Sequence, residues 1–189
     1  MQYKHPVKYN LMSAKSFEML LELAFDTDKP AVYEEGATSV YQQFERAYKE
    51  AQKKGGKPSE ELNFRFERLR LGVAIAFVKA FVRLADNEKS KEVLDVLQEA
   101  IKAKNAREID KIIQKQIAKF DNLYHEIFVN EQRDYLLGMF ERTLDAASKE
   151  ELDELIFQGL ELLPEVDWDA KNHDEDDIEP LDEDFLKNL

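Results

Sequence analysis

The run Leu71–Val82 constrains this chain more than any other feature, because Lys79 alone interrupts an otherwise apolar sequence. A segment that is apolar on every side cannot lie on a surface; other elements must enclose it. Its flanks extend the pattern, since Leu62, Phe66, Leu69, Val73, Phe77, Ala80 and Leu84 form one helical stripe across 60–85. Within that stretch Leu62, Phe64 and Phe66 alternate with Asn63 and Arg65, which is the period of a strand. Strands rarely run past about ten residues, so length favours one long helix, with 62–67 as the place where helix and strand compete. Arg70, Lys79 and Arg83 punctuate Leu69–Leu84 too often for a bilayer span, which needs about 20 apolar residues with few charges. The stretch therefore reads as a buried central helix.

The rest of the chain supplies the jacket such a helix requires. Phe17, Leu20, Leu21 and Ala24 share one face of a helix over 14–25, and Val40, Tyr41, Phe44, Ala47, Tyr48 and Ala51 do the same over 37–54. Residues 26–36 read as a loop, and Gly55-Gly56-Lys57-Pro58 stops the second helix. Ser90 is placed to cap a helix over 91–103. Asn105 with Glu108, and Ser148 with Glu151, have the spacing of reciprocal caps opening 106–128 and 149–163. Asn130 restarts a helix over 131–146, and Pro164 closes the last one. The stripe predicted for 106–128 is Ile109, Ile112, Ile113, Ile117, Phe120, Tyr124 and Ile127. Only 6 Gly and 5 Pro occur in 189 residues, too few for a turn-rich β architecture. The expected fold is all-α: a single bundle of six to seven helices over 1–163, then an acidic, partly disordered tail over 164–189. No internal repeat of fixed period is visible.

Charge is distributed unevenly. Residues 1–150 hold 25 Lys and Arg against 25 Asp and Glu, whereas 151–189 hold Lys171 and Lys187 against 15 acids, so the whole net charge of −13 falls in the last 39 positions. The bland interpretation is a solvated tail. Its apolar residues argue for more, because Ile178, Leu181, Phe185 and Leu189 fall at i, i+3, i+7 and i+11 of a short amphipathic helix, with Leu186 beside them. Asp176 and Asp177 stand where they can cap that helix, and Pro180 fits its first turn. Trp168, the sole tryptophan, is the residue type most enriched at binding hot spots. A second pattern is basic: Arg107, Lys111, Lys115 and Lys119 recur every fourth residue, with Lys104 just upstream. Aligned cations of this kind neutralise phosphates. An ordinary solvated face opposite the isoleucine stripe is the simpler explanation.

Catalytic and metal chemistry finds little support. There is no cysteine, which removes disulfides, thiolate zinc sites and thiol catalysis. The residues three before His5, His125 and His173 are Gln2, Asn122 and Ala170, so the Glu-x-x-His pairs of helical di-metal sites are missing. A calcium loop starting at Asp167 would require Gly at Asn172, a ligand at Lys171 and Glu at Ile178. Gly55-Gly56 is not followed by Gly-Lys-Ser/Thr, and His125 is a lone histidine within a helix. No cofactor is expected.

The favoured function is a non-enzymatic interaction protein, an adaptor, assembly chaperone or inhibitor. It would engage a protein partner through Trp168, Ile178, Leu181, Phe185, Leu186 and Leu189. The alternative is a nucleic-acid-associated subunit using Lys104, Arg107, Lys111, Lys115 and Lys119, and the third reading is an inhibitor that mimics DNA. Homo-oligomerisation stays open. The amino-terminal Met-Gln-Tyr-Lys-His-Pro lacks the apolar run of a secretory signal, and no membrane association is expected, so the cytoplasm is the expected location.

Overall fold

A computed structural model describes residues 14–26, 37–85, 87–126 and 131–169. Among them the chain forms eight α-helices and no strand. These are α1 (Ala14–Phe25), α2 (Ala37–Lys53), α3 (Glu60–Ala85), α4 (Glu88–Ala100), α5 (Ala106–Lys115), α6 (Ile117–Tyr124), α7 (Glu131–Asp145) and α8 (Lys149–Leu162), followed by a 3₁₀ turn, Leu163–Glu165. The competition at 62–67 is resolved as helix. As its sequence requires, α3 is the central element: Leu71–Val78 and Ala80–Val82 are buried without a gap. Helices α1, α2, α4, α5, α7 and α8 all pack against it. The predicted face of α1 is fully enclosed, with Phe17, Leu20, Leu21 and Ala24 each at 0% exposure.

Helix ends show why the boundaries fall where they do. Helix α2 closes with Gly55 and Gly56 at φ +90° and +76°. The Gly56 N–H donates to Ala51 O at 2.7 Å and the Gly55 N–H to Gln52 O at 3.2 Å, the paired closure that positive-φ glycine permits. Asn105 Oδ1 accepts from the Glu108 N–H at 2.8 Å, and Ser148 Oγ from the Glu151 N–H at 3.2 Å. The returning carboxylates reach one residue further back than the usual reciprocal cap, to the N–H of Lys104 and of Ala147. Helix α4 starts three residues earlier than Ser90 suggests. Asn87 Oδ1 accepts from the N–H of Lys89 and Ser90, while the buried Ser90 hydroxyl donates back to Asn87 O.

The predicted single helix over 106–128 is broken at Gln116, whose backbone leaves the helical region (φ −114°, ψ 18°). That break raises the count above the six to seven expected. It also re-phases the apolar face, so that Ile109 is buried while Ile117 stands 42% exposed. Phe120 and Tyr124 instead meet Phe140 of α7, with ring centroids 6.4 Å apart in both pairs. Ile113, Ile117 and Phe120 keep helical spacing in the sequence, so periodicity carries no sign of the break; packing imposes it.

Two glycines provide a matched test of packing. A Cβ at Gly159 of α8 would lie 2.6 Å from Leu20 Cδ1 and 3.0 Å from Phe77 Cζ, whereas one at Gly138 of α7 would meet nothing within 4 Å. Gly159→Ala is expected to lower stability by about 1–3 kcal/mol through overpacking. Gly138→Ala should raise it by about 0.5–1 kcal/mol through helix propensity. Urea denaturation of both variants checks the pair, and equal shifts would show that the α8 crossing is not tightly packed.

Candidate interaction surfaces

Trp168 is held on the body. The Arg83 guanidinium sits 3.9 Å from the Trp168 ring centroid, close enough for a substantial cation–π contact. The same guanidinium donates from Nη1 to Leu23 O at 2.9 Å and Ala24 O at 3.0 Å. It thereby satisfies carbonyls that the last turn of α1 leaves without helical partners. Val166 is 7% exposed, the Asp167 N–H donates to Gln132 Oε1 at 2.8 Å, and Trp168 packs against the core. Residues 166–169 are therefore joined to the helices, past the Pro164 boundary. Ile178, Leu181, Phe185, Leu186 and Leu189 lie outside the described residues.

The acidic excess divides at the same place. Seven of the 15 acids in 151–189 precede Ala170, and eight, with two lysines, follow Asp169. Of the first group, Glu151, Glu161, Glu165, Asp167 and Asp169 are exposed, while Asp153 of α8 is 2% exposed. Asp153 accepts from the Tyr41 hydroxyl at 3.1 Å and pairs with Lys149. Burial raises its carboxyl above the ordinary aspartate range, and the hydrogen bond and charge of Lys149 only partly oppose this. Burial, together with the Asp153 charge, likewise drives the Tyr41 phenol upward.

Basic residues assemble around Phe64, where three separate elements converge. The guanidinium of Arg65 lies 4.9 Å, and that of Arg68 5.9 Å, from the Phe64 ring centroid. Both donate from Nη1 to Gln43 Oε1 of α2, at 2.9 and 2.7 Å. Arg68 also donates from Nε to Ile101 O at the end of α4. Its pKa is lowered, first by burial and then by the neighbouring charge of Arg65. Beside Phe64 opens a cleft of about 810 Å³ between the first turns of α3 and α5, with Glu60, Glu61 and Asn63 on one wall and Lys104–Arg107 on the other. Glu61 pairs with Arg65 at 2.7 Å. No carboxylate among the described residues lies within ion-pair distance of Arg68, Lys104 or Arg107.

Of the predicted basic stripe, Arg107, Lys111 and Lys115 are exposed along α5, and Lys104 is exposed just before it. The break at Gln116 puts Lys119 on α6, where it is only half-exposed. The structure thus brings Lys104 and Arg107 to the Phe64 cluster and gives Lys119 a different setting. Gln43 had no signal in the sequence as a member of a site, since its contacts with Arg65 and Arg68 span 22 and 25 positions from α2 to α3. Two further hollows are present. One, of about 300 Å³, is lined by Phe44, Tyr48, Leu62, Phe66 and the turn before α8; the other, of about 380 Å³, surrounds Tyr135 and Met139 on α7.

No family model, curated protein or solved structure matches this chain.

Among the described residues no three His, Asp or Glu side chains are grouped to hold a metal ion, and no helix is long and apolar enough to cross a membrane. His125 lies exposed at the end of α6, with Nδ1 2.7 Å from Asp121 O.

Two measurements follow from these contacts. Arg83→Met should release the sole tryptophan, shifting its emission to the red and lowering stability by about 0.5–2 kcal/mol; an unchanged spectrum would refute the clamp. For Asp153, a pKa raised in the folded chain means stability is highest below the unfolded value of about 3.9 and declines as pH rises through the folded one. Relative to Asp153→Asn, the native chain should therefore gain stability as pH falls from about 7 toward 4. Urea midpoints across that range test the sign, and the opposite slope would mean that Lys149 outweighs burial.

Proposed function

We propose that this chain is a non-enzymatic interaction protein, an adaptor, assembly chaperone or inhibitor, whose acidic final segment engages a basic protein partner. The observation that carries this reading is the root of that segment. Trp168 and Asp167 are tied to Arg83 and Gln132, and the eight acids and the stripe Ile178, Leu181, Phe185 and Leu189 all follow within twenty residues. A rigid attachment point followed by charge and periodic apolar residues suits helix-in-groove recognition, in which carboxylates steer the encounter and the apolar stripe supplies affinity. A second reading is favoured by Arg68, Lys104 and Arg107, which have no carboxylate partner among the described residues and suit contact with a nucleic-acid backbone.

The root also fixes where a truncation should fall. Ending the chain at Pro164 would remove Val166 and Trp168 from the body, so the cut belongs after Asp169. In affinity capture, a partner retained by the full chain should be lost from the chain ending at Asp169. Phe185→Ala with Leu189→Ala should weaken it by about tenfold or more, as for hot-spot residues. Equal recovery by both chain lengths would transfer the function to the helical body.

A further inference from the structure

We propose that the outer face of α7 is a self-association surface, on which α7 of a second copy of this chain lies antiparallel. The inner side of α7 is used up by the fold, since Leu136, Phe140 and Thr143 are buried and the helix packs on α3 and α8. Its outer side carries Tyr135, which at 51% exposure is the most exposed large hydrophobic among the described residues. Beside Tyr135 opens the hollow of about 380 Å³, lined by Glu131, Gly138, Met139 and Arg142 among others. Nothing stands within 4 Å of where a Gly138 Cβ would be, so a neighbouring side chain has room to enter.

Charge and spacing select a second copy as the occupant. At 100° per residue, Glu131, Tyr135, Gly138 and Arg142 fall within about 60° of one another on the helix surface. Glu131 lies five residues before Leu136, and Arg142 five after Leu137; Tyr135 lies one before Leu136, and Gly138 one after Leu137. One two-fold axis midway between Leu136 and Leu137 therefore satisfies every member of the stripe. It sets Glu131 of each chain opposite Arg142 of the other, and each Tyr135 ring opposite the other chain's Gly138 hollow. Such a face is its own complement, which is what an isologous contact requires. Arg142 donates to Gln158 Oε1 at 3.2 Å and to Met139 Sδ at 3.7 Å. Among the described residues no carboxylate pairs with Arg142 and no cation with Glu131.

The pairing is weak by design of its size. A single helix pair buries less than the roughly 1,200 Å² of stable complexes. Asp134, Glu141 and Asp145 all lie to one side of the stripe, where they face the same rim of the other copy and repel it across solvent. The expected Kd is between about 10 µM and 1 mM.

Sedimentation equilibrium of the purified full chain over that range, at about 0.15 M salt, tests the proposal. The average mass should rise from one chain toward two. Arg142→Glu and Glu131→Arg should each raise Kd about tenfold or more. An equimolar mixture of these two variants should associate again, because each then offers the charge that the other lacks at both ends of the stripe. Recovery in the mixture also shows that both variants are folded. Should either reversal unfold, Tyr135→Ala reads the same surface from an exposed position and should weaken pairing about tenfold. A native chain that stays single throughout overturns the proposal, as does a folded pair of variants whose mixture fails to recover. Association that survives Arg142→Glu, Glu131→Arg and Tyr135→Ala alike belongs to another surface and overturns it too. No external partner enters these measurements, so their outcome is separate from that of the function proposed above.

Discussion

The fold depends on how its helix ends are satisfied inside a crowded bundle. Every helix leaves carbonyls without partners in its last turn, and a helix enclosed on all sides forces many such ends toward the interior. Arginines from neighbouring helices answer this need. Arg83 of α3 takes the carbonyls of Leu23 and Ala24 at the end of α1, Arg68 of α3 takes Ile101 after α4, and Arg70 of α3 takes Ala146 after α7. Arg133 of α7 returns the arrangement by donating to Leu84 O near the end of α3. A guanidinium suits the task because its charge complements the negative helix end and its planar fork bonds more than one oxygen.

This pattern explains why the central, enclosed helix also carries cations. Arg70 and Arg83 fit poorly with an apolar surface considered alone, yet each lies where another helix terminates. Lysine would supply the charge without the fork, so neither position exchanges freely with it. The same arginines also position the surfaces described above: Arg83 holds Trp168, and Arg68 with Arg65 frames Phe64. One set of side chains therefore closes helix ends and shapes both of these surfaces.

Much of the architecture was legible in the sequence, and the reason is physical. The stripes of α1, α2 and α3 repeat at helical spacing, and the Asn105 and Ser148 caps are local signals read within four residues. Ser90 misled because Asn87, three residues earlier, already caps the helix through the N–H of Lys89 and Ser90, leaving the serine hydroxyl to fold back onto Asn87 O. The break at Gln116 was invisible because Ile117 preserves the period; only the meeting of Phe120 and Tyr124 with Phe140 rejects it. The interaction surfaces were less legible for a related reason. Lys104 and Arg107 announce themselves by spacing, but Gln43 joins them only through tertiary contact. Trp168 gave its type without its partner, since Arg83 lies 85 positions away.

The division of charge across the body has a kinetic meaning. Exposed acids of α8 and its exit lie on a helix packed against α1, α3 and α7, whereas Lys104 and Arg107, with no carboxylate partner among the described residues, stand at the start of α5, packed against α3 and α4. Separated charges of opposite sign give the molecule an electric moment, so it turns in the field of any charged body it approaches. A basic surface would meet the α8 side first and an acidic one the α5 side, before a single contact forms. Orientation during diffusion would thus precede recognition, and ionic strength would govern how often an encounter begins on the correct face.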